Sequence, residues 1–337
     1  MKFNITPQLI KGTPVGISIY SVTKEAPHHH EGFMEIIYCF KGSVSIYNRF
    51  QRTNLSEGDI VSCDPTDIHY MNSDEENLLV SFYFDLRNPV LGKPDLEHIY
   101  FVCEPLAVPE AKQPELQNMK RLLLTMLYFY CFPHPSLSKE DIITRFAVKV
   151  IRMMLDHFHY FYFLTNYMEY TEEMKERFES IMIYVDKNYT KKITLEKLCD
   201  INHFNYKYLS RFFKQTSLVG FPKYVNDIRS YKAACLLMET DKNISDIAYE
   251  TGFSAPMYCY QTSKLWSGMT PNQFRKHFTR ITEQSDENVF YDALSKKNEL
   301  EHLISFRFAE LQVPELWLSP FIPYKGLPIE QKEPATD

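Results

Sequence analysis

Two stretches about fifty residues apart, 193–214 and 244–264, repeat one pattern, and this repetition limits the fold more than any other feature of the 337 residues. In the first, Leu195, Leu198 and Cys199 mark the inner side of a short helix and His203-Phe204 a turn. Leu209, Phe212 and Phe213 then anchor a second helix, which Asn205 can cap through its side-chain oxygen. Its outer face carries Tyr206, Lys207, Ser210, Arg211 and Lys214, a composition suited to phosphates and base edges. In the second stretch Ile247 and Ala248 are the inner residues, Gly252 makes the turn, Ser254 is the expected cap and Pro256 lies in the first turn. Ala255, Met257, Tyr260, Gln261 and Lys264 face outward. One such unit alone is often only a helical hairpin. Between the two, Tyr224, Ile228, Tyr231, Cys235 and Met238 stripe a helix predicted over 221–239. Its length of about 28 Å, with the width of the units added, approaches the ~34 Å repeat of B-DNA, so both outer helices can enter successive major grooves.

Charge points to the same partner. The formal net charge of -6 divides unevenly: 187–280 holds 15 Lys/Arg against 7 Asp/Glu, and the rest 22 against 36. Only the repeated region is suited to a polyanion. Arg211 and Lys214 fit DNA contact, with a solvated or intrahelically paired role as the alternative.

The run Ile-Ser-Asp-Ile-Ala-Tyr-Glu-Thr-Gly-Phe-Ser at 244–254, followed by Gly268-Met-Thr-Pro271 and Phe274-Arg275, resembles the C-terminal signature of AraC/XylS-type bacterial transcriptional regulators. Leu209-Ser210-Arg211, Phe213-Lys214, Phe221, Tyr224 and Arg229 fit the first unit of that pattern, and the resemblance covers about a hundred residues. The chain departs from it at Cys259, Gln261, Thr262, Ser263 and Ser267, where the family carries apolar anchors and a basic residue, and at Leu218, which replaces a common glycine. The second outer helix is therefore expected to pack less firmly, with Leu265 and Trp266 compensating, and to contribute less to sequence readout.

Residues 1–105 read as an all-β domain. The runs 16–22, 33–40, 43–50 and 78–84 are rich in β-branched and aromatic residues, with turns at Lys41-Gly42, 56–59 and 72–76. Closely spaced strands of this kind make a sandwich or small barrel. Within it, His28-His-His30, Glu35 and Gly42 resemble the first cupin motif, and Gly58, Pro65 and His69 approximate the second, although Asp67 stands where that motif has glycine. Such a set could bind Fe, Mn, Ni or Zn. In AraC-type regulators, however, these positions commonly line an inducer pocket without catalytic metal, so the expectation is no metal and no cofactor, with His28, His30, Glu35, Tyr38 and His69 as effector-binding candidates. Tyr20, Tyr47, Phe82 and Phe84 are further stacking surfaces, though alternate barrel residues face inward whatever the function.

Residues 106–170 form a helical connector. Leu116, Met119, Leu123, Met126, Leu127 and Tyr130 make one apolar face and, after the break at Pro133-His-Pro135, Ile142, Phe146, Val150, Met153, Met154 and His157 make another. Two antiparallel helices follow, with apolar surface in excess of what one partner covers, which suggests a homodimer interface or a cover for the tail. The region 172–280 is the all-α part with two helix-turn-helix units; 281–337 is a tail of no assigned role, with one alternating run at 304–309 and a Pro-rich end from Pro314. The fold expected is thus multi-domain: a cupin-like jelly-roll barrel, a helical connector and a paired helix-turn-helix domain.

The most apolar stretch, 122–132, is eleven residues long, and 146–168 is broken by Lys149, Arg152 and Asp156, so neither reaches the roughly 20 residues needed to span a bilayer. No long apolar stretch opens the chain, which suggests a soluble cytoplasmic protein without a membrane partner. Seven cysteines without paired spacing read as buried, reduced thiols. The resemblance implies double-stranded DNA, a small polar metabolite such as a sugar, and RNA polymerase as partners. It implies a regulator, with activation the commoner family mode, and no enzymatic activity. The alternative is a metal-dependent cupin enzyme using His28, His30, Glu35 and His69, with the helical part as an accessory.

Overall fold

In the computed structural model, which describes residues 4–313 apart from 50, 106, 134–135, 165–170, 203–204, 218–219, 283–286 and 294, the β region contains seven strands. These are β1 (Val15–Val22), β2 (Phe33–Lys41), β3 (Ser43–Asn48), β4 (Gln51–Ser56), β5 (Ile60–Cys63), β6 (His69–Asn72) and β7 (Leu78–Asp85). An eighth, β8 (Asn288–Tyr291), comes from the tail and pairs antiparallel with β1. One sheet runs β5-β2-β7-β1-β8 and the other β4-β3-β6. Gly42 makes the β2–β3 turn at φ +75, where a Cβ would meet the Glu76 carbonyl oxygen at 2.2 Å.

The alternation of a strand decides what each β2 residue touches. Ile37 and Cys39 join Tyr20, Val61 and Cys63 from the same sheet and Val44, Ile46, Leu55 and Met71 from the other, filling the space between the sheets. Met34, Ile36, Tyr38 and Phe40 point the other way, with Phe82 and Phe84, into a larger core roofed by helices. That roof is α1 (Gln113–Cys131), α2 (Lys139–His157) and α11 (Lys297–Glu310). The apolar excess of α1 is therefore taken up within the chain: Leu300, Ile304 and Leu311 pack into the same core, and Arg121 Nε donates to the Leu311 carbonyl at 2.5 Å.

Two expectations change here. The alternating run at 304–309 is helical: Leu300, Ile304 and Arg307 are buried at helical spacing while Phe306 is exposed. The buried stripe of α2 is Ile143, Ala147, Val150, Ile151 and Met154, leaving Ile142, Phe146, Met153 and His157 half-buried on its flank. Ser138 caps α2 by accepting from Asp141 N, so helix entry follows the sequence even where the stripe is offset. All seven cysteines are buried and free.

The helical half comprises α3 (Tyr160–Leu164), α4 (Glu172–Asn188), α5 (Leu195–Asn202), α6 (Tyr206–Ser217), α7 (Phe221–Glu239), α8 (Ile244–Glu250), α9 (Pro256–Ser267) and α10 (Pro271–Thr282). Phe178, Ile181, Leu198, Leu209, Phe213 and Tyr224 are the core of the first unit. Ala233, Leu237, Ile247, Ala248, Cys259, Phe274 and Phe278 form that of the second. The 19-residue α7 contributes to both, through Phe221, Tyr224 and Val225 at its start and Ala233, Ala234 and Leu237 toward its end; of the expected stripe, Tyr224 and Cys235 are buried and Ile228, Tyr231 and Met238 half-buried. Among the described residues no helix is long and apolar enough to cross a membrane.

Candidate functional site

In the first unit, Leu195, Leu198, Cys199, Leu209, Phe212 and Phe213 are all buried, which turns Tyr206, Lys207, Arg211 and Lys214 outward on α6, with Ser210 half-buried beside them. Asn205 caps α6, its Oδ1 accepting from Lys207 N at 2.9 Å and Tyr208 N at 3.3 Å. The turn at His203-Phe204 and Leu218 lie outside the described residues. Arg229 does not face outward for a ligand: its Nε and Nη2 donate to the Tyr189 and Lys191 carbonyls, both at 2.8 Å, tying α7 to the end of α4.

The second unit repeats this device, Arg275 donating to the Leu237 and Lys242 carbonyls. Gly252 makes the turn at φ +87, where a Cβ would lie 2.6 Å from the Tyr189 carbonyl oxygen. Met257, Tyr260, Gln261 and Lys264 are exposed on α9. Ser254 is not the cap: Ala255 occupies that position, extended, half-buried and without a side-chain bond, and Pro256 starts the helix. Proline needs no capping partner for its absent N–H, which lowers the demand for a polar cap. Leu265 does not compensate for the small anchors either, being 88% exposed, and the Trp266 side chain lies outside the described residues. Cys259 and Ser263 fill the buried side instead, small enough for α9 to sit closely on α7.

The β domain gathers His28, His30, Glu35 and His69 in one buried cluster, one potential ligand atom of each lying within 4.8 Å of the others. Glu35 Oε2 is 2.9 Å from His69 Nε2 and 3.3 Å from His30 Nε2, so a buried carboxylate sits between two imidazoles. Burial, together with the His69 and His30 rings, pulls His28 down to about 3. Burial opposes charge on Glu35, but the adjacent His30 and His69 outweigh it and hold the carboxyl well below its usual range. Tyr38, expected to join this cluster, is on the opposite face of β2: three residues from Glu35, its parity differs, and it packs beside Phe40 under the helical roof.

The β-domain loop around Thr66 grips α7. Tyr231 donates its hydroxyl hydrogen to the Thr66 carbonyl and accepts from Ile68 N, both at 2.9 Å. His29 Nε2 lies 2.8 Å from Glu239 Oε1. Tyr70, stacked on Tyr47 with ring centres 4.6 Å apart, enters the core of the second helix-turn-helix unit. Beside these contacts a cavity of about 450 Å³ opens between the halves, walled by Tyr100, Tyr160, Tyr224 and Tyr231 with Arg49 and Asp67 among its polar groups. Arg49 is held by Asp67 at 2.7 Å and Asp64 at 2.9 Å. None of the five effector candidates lines this cavity, and no local pattern could have marked its walls, which come from residues between 48 and 232 in sequence.

A β-rich domain is thus joined through a shared helix to two helix-turn-helix units. The chain matches the model of an AraC-like ligand-binding domain over 15–93 and that of a helix-turn-helix domain over 198–277, a combination similar to that of AraC-type transcriptional regulators. It is 25% identical over 261 residues to an uncharacterized HTH-type transcriptional regulator of Staphylococcus aureus (strain MRSA252), covering 76% of this chain and 33% of that one. The chain thus spans about a third of the length of the curated relatives it first matches. Over 93 residues it is 37% identical to the bifunctional transcriptional activator/DNA repair enzyme AdaA of Bacillus subtilis (strain 168), 28% of this chain and 44% of that protein. Among solved structures, ToxT from Vibrio cholerae O395 is 15% identical with a TM-score of 0.40, covering 79% of this chain and 98% of that chain.

Proposed function

We propose that the chain is a cytoplasmic, sequence-specific DNA-binding regulator in which the β domain senses a small molecule and adjusts two readers mounted on α7. The observation that carries this reading is the outward row of Tyr206, Lys207, Arg211 and Lys214 on α6, repeated by Met257, Tyr260, Gln261 and Lys264 on α9, across one 19-residue helix that the sensor loop grips through Tyr231. Cations and amphipathic side chains on an exposed helix supply phosphate contact and base-edge readout together.

The organic effector is a small polar metabolite, such as a sugar, seated in the cavity beside Tyr231. Its volume lies in the range of small-molecule sites, and four tyrosines offer stacking faces. A ligand wedged there would bear on α7 directly, so binding and reader geometry are linked. Activation through RNA polymerase is the output, and pairing of two copies would use the half-buried Ile142, Phe146 and Met153 on α2. The test is recovery of a DNA motif from a random pool by the full chain; retention of nothing above competitor DNA would refute the reading.

A further inference from the structure

The charged groups that wall the cavity beside Tyr231 are already answered, with one exception. Arg49 is held by Asp67 and Asp64, and its guanidinium carbon lies 5.1 Å from the centre of the Tyr100 ring. Lys232 Nζ lies 3.5 Å from Asp186 Oδ1 and donates to Thr66 Oγ1 at 3.3 Å. Asp227 Oδ2 is 2.7 Å from Lys223 Nζ, one turn back on α7. Glu104, half-buried in the same wall, makes no ion pair among the described residues. Burial raises its carboxyl above the usual range, against the pull of Arg49.

What the tyrosines leave to a ligand is ring surface. Tyr100 donates its hydroxyl hydrogen to Asp186 Oδ1 at 2.9 Å, and the Tyr231 hydroxyl is shared between the Thr66 carbonyl and Ile68 N. A neutral polyol needs several free donors and acceptors, and these hydroxyls are engaged within the protein. The face of an aromatic ring carries negative potential, so it attracts a cation, most strongly where water is excluded. Arg49 over Tyr100 is an instance in this very wall. Tyr160, Tyr224 and Tyr231 add further rings to a cavity whose Glu104 carboxylate lacks a cation.

We infer that the cavity binds a small organic cation, a quaternary or primary ammonium, with Glu104 as its counter-ion and the rings of Tyr160, Tyr224 and Tyr231 as its cage. This narrows the polar metabolite of the regulatory reading: cation binding stands on the cavity, and the role of the cation as effector rests on that reading. Glu104 belongs to the segment between β7 and α1, whereas Tyr224 and Tyr231 belong to α7. One ligand held by both fastens that segment to the helix shared by the two helix-turn-helix units.

The test titrates the full chain, by isothermal calorimetry at constant ionic strength, with choline and with butylammonium, and in parallel with glucose and with neohexyl alcohol, the neutral isostere of choline. Choline should bind at least about 10-fold more tightly than its isostere, or butylammonium more tightly than either neutral compound by that factor. Glu104→Gln, checked for folding by circular dichroism, should weaken cation binding about 5-fold. Tyr160→Phe, which keeps the ring, should bind as wild type does, and Tyr160→Leu about 3-fold more weakly. Folded wild-type protein that binds neither cation overturns the proposal whether or not the variants fold, and so does equal binding of choline and its isostere or binding of glucose alone. Unchanged cation affinity in folded Glu104→Gln overturns the assignment of the counter-ion. Specific DNA binding without cation binding removes this ligand and leaves the regulator, while cation binding by a chain that selects no DNA, with or without choline, does the reverse.

Discussion

Glu239, the last residue of α7, lies with Oε1 2.8 Å from Nε2 of His29, so the helix shared by both helix-turn-helix units is tied at its end to the segment preceding β2. The second tie, Tyr231 with Thr66 and Ile68, lies two helical turns earlier. Replacing Tyr231 with Phe would leave the Ile68 N–H and the Thr66 carbonyl without this partner, at a cost of about 1–3 kcal/mol. Thermal unfolding should show the loss, and hydrogen exchange should speed up at Ile68. An unchanged midpoint with unchanged exchange would contradict the contact.

Arg211→Ala should weaken binding to a selected DNA site by about 1–3 kcal/mol if the guanidinium reads a guanine, with relaxed preference at that base. If it touches phosphate, the loss should be uniform across sequences and the salt slope smaller by about 1. Fluorescence anisotropy across a salt series separates the two. Equal affinity for the variant and the wild type would remove α6 from the interface.

Gly252→Ala should destabilise the second unit by about 2–4 kcal/mol, since the left-handed backbone at φ +87 disfavours any side chain and the new Cβ would sit 2.6 Å from the Tyr189 carbonyl oxygen. Chemical denaturation measures this. Ala248→Gly in α8, which lies outside the turn but in the core of the unit, should cost about 1 kcal/mol through helix propensity plus the packing of the lost methyl.

Acid should destabilise the chain through His159. Burial, then Lys175 and Lys93, lower this ring to about 3, and its Nδ1 accepts from Phe161 N at 2.9 Å, a bond that protonation would break. The unfolded ring takes up a proton near pH 6.5 while the folded one stays neutral, so the unfolded state binds more protons below that pH. Stability should therefore fall by about 1.4 kcal/mol per pH unit between about 6.5 and 3 on this account. Relative to wild type, His159→Gln should remove about that slope; identical pH profiles for the two proteins would contradict it.

The readers were legible because helix periodicity and turn residues are local: Leu195, Leu198, Leu209 and Phe213 mark the inner side of α5 and α6 wherever the rest of the chain goes. The histidine cluster was legible in part, since His28, His30 and Glu35 are close in sequence, but Tyr38 lies on the other face of β2 because its odd separation from Glu35 reverses the side-chain direction. What the sequence concealed was non-local. α11 reads as alternating because Ile304, Phe306 and Phe308 happen to fall on even positions, while burial selects Leu300, Ile304 and Arg307. The tail's return to β1 through β8, and the Tyr231 contact with Thr66 across 165 residues, depend on long-range contacts that no window of sequence contains.

The central claim is that α6 and α9 read DNA together from one rigid helix. Footprinting of the full chain on a fragment selected from a random pool, across a salt series, tests it most directly. The account predicts two protected stretches centred about 10–10.5 base pairs apart on one face of the duplex, persisting at physiological salt against competitor DNA. Uniform, weak protection that any DNA displaces would contradict it.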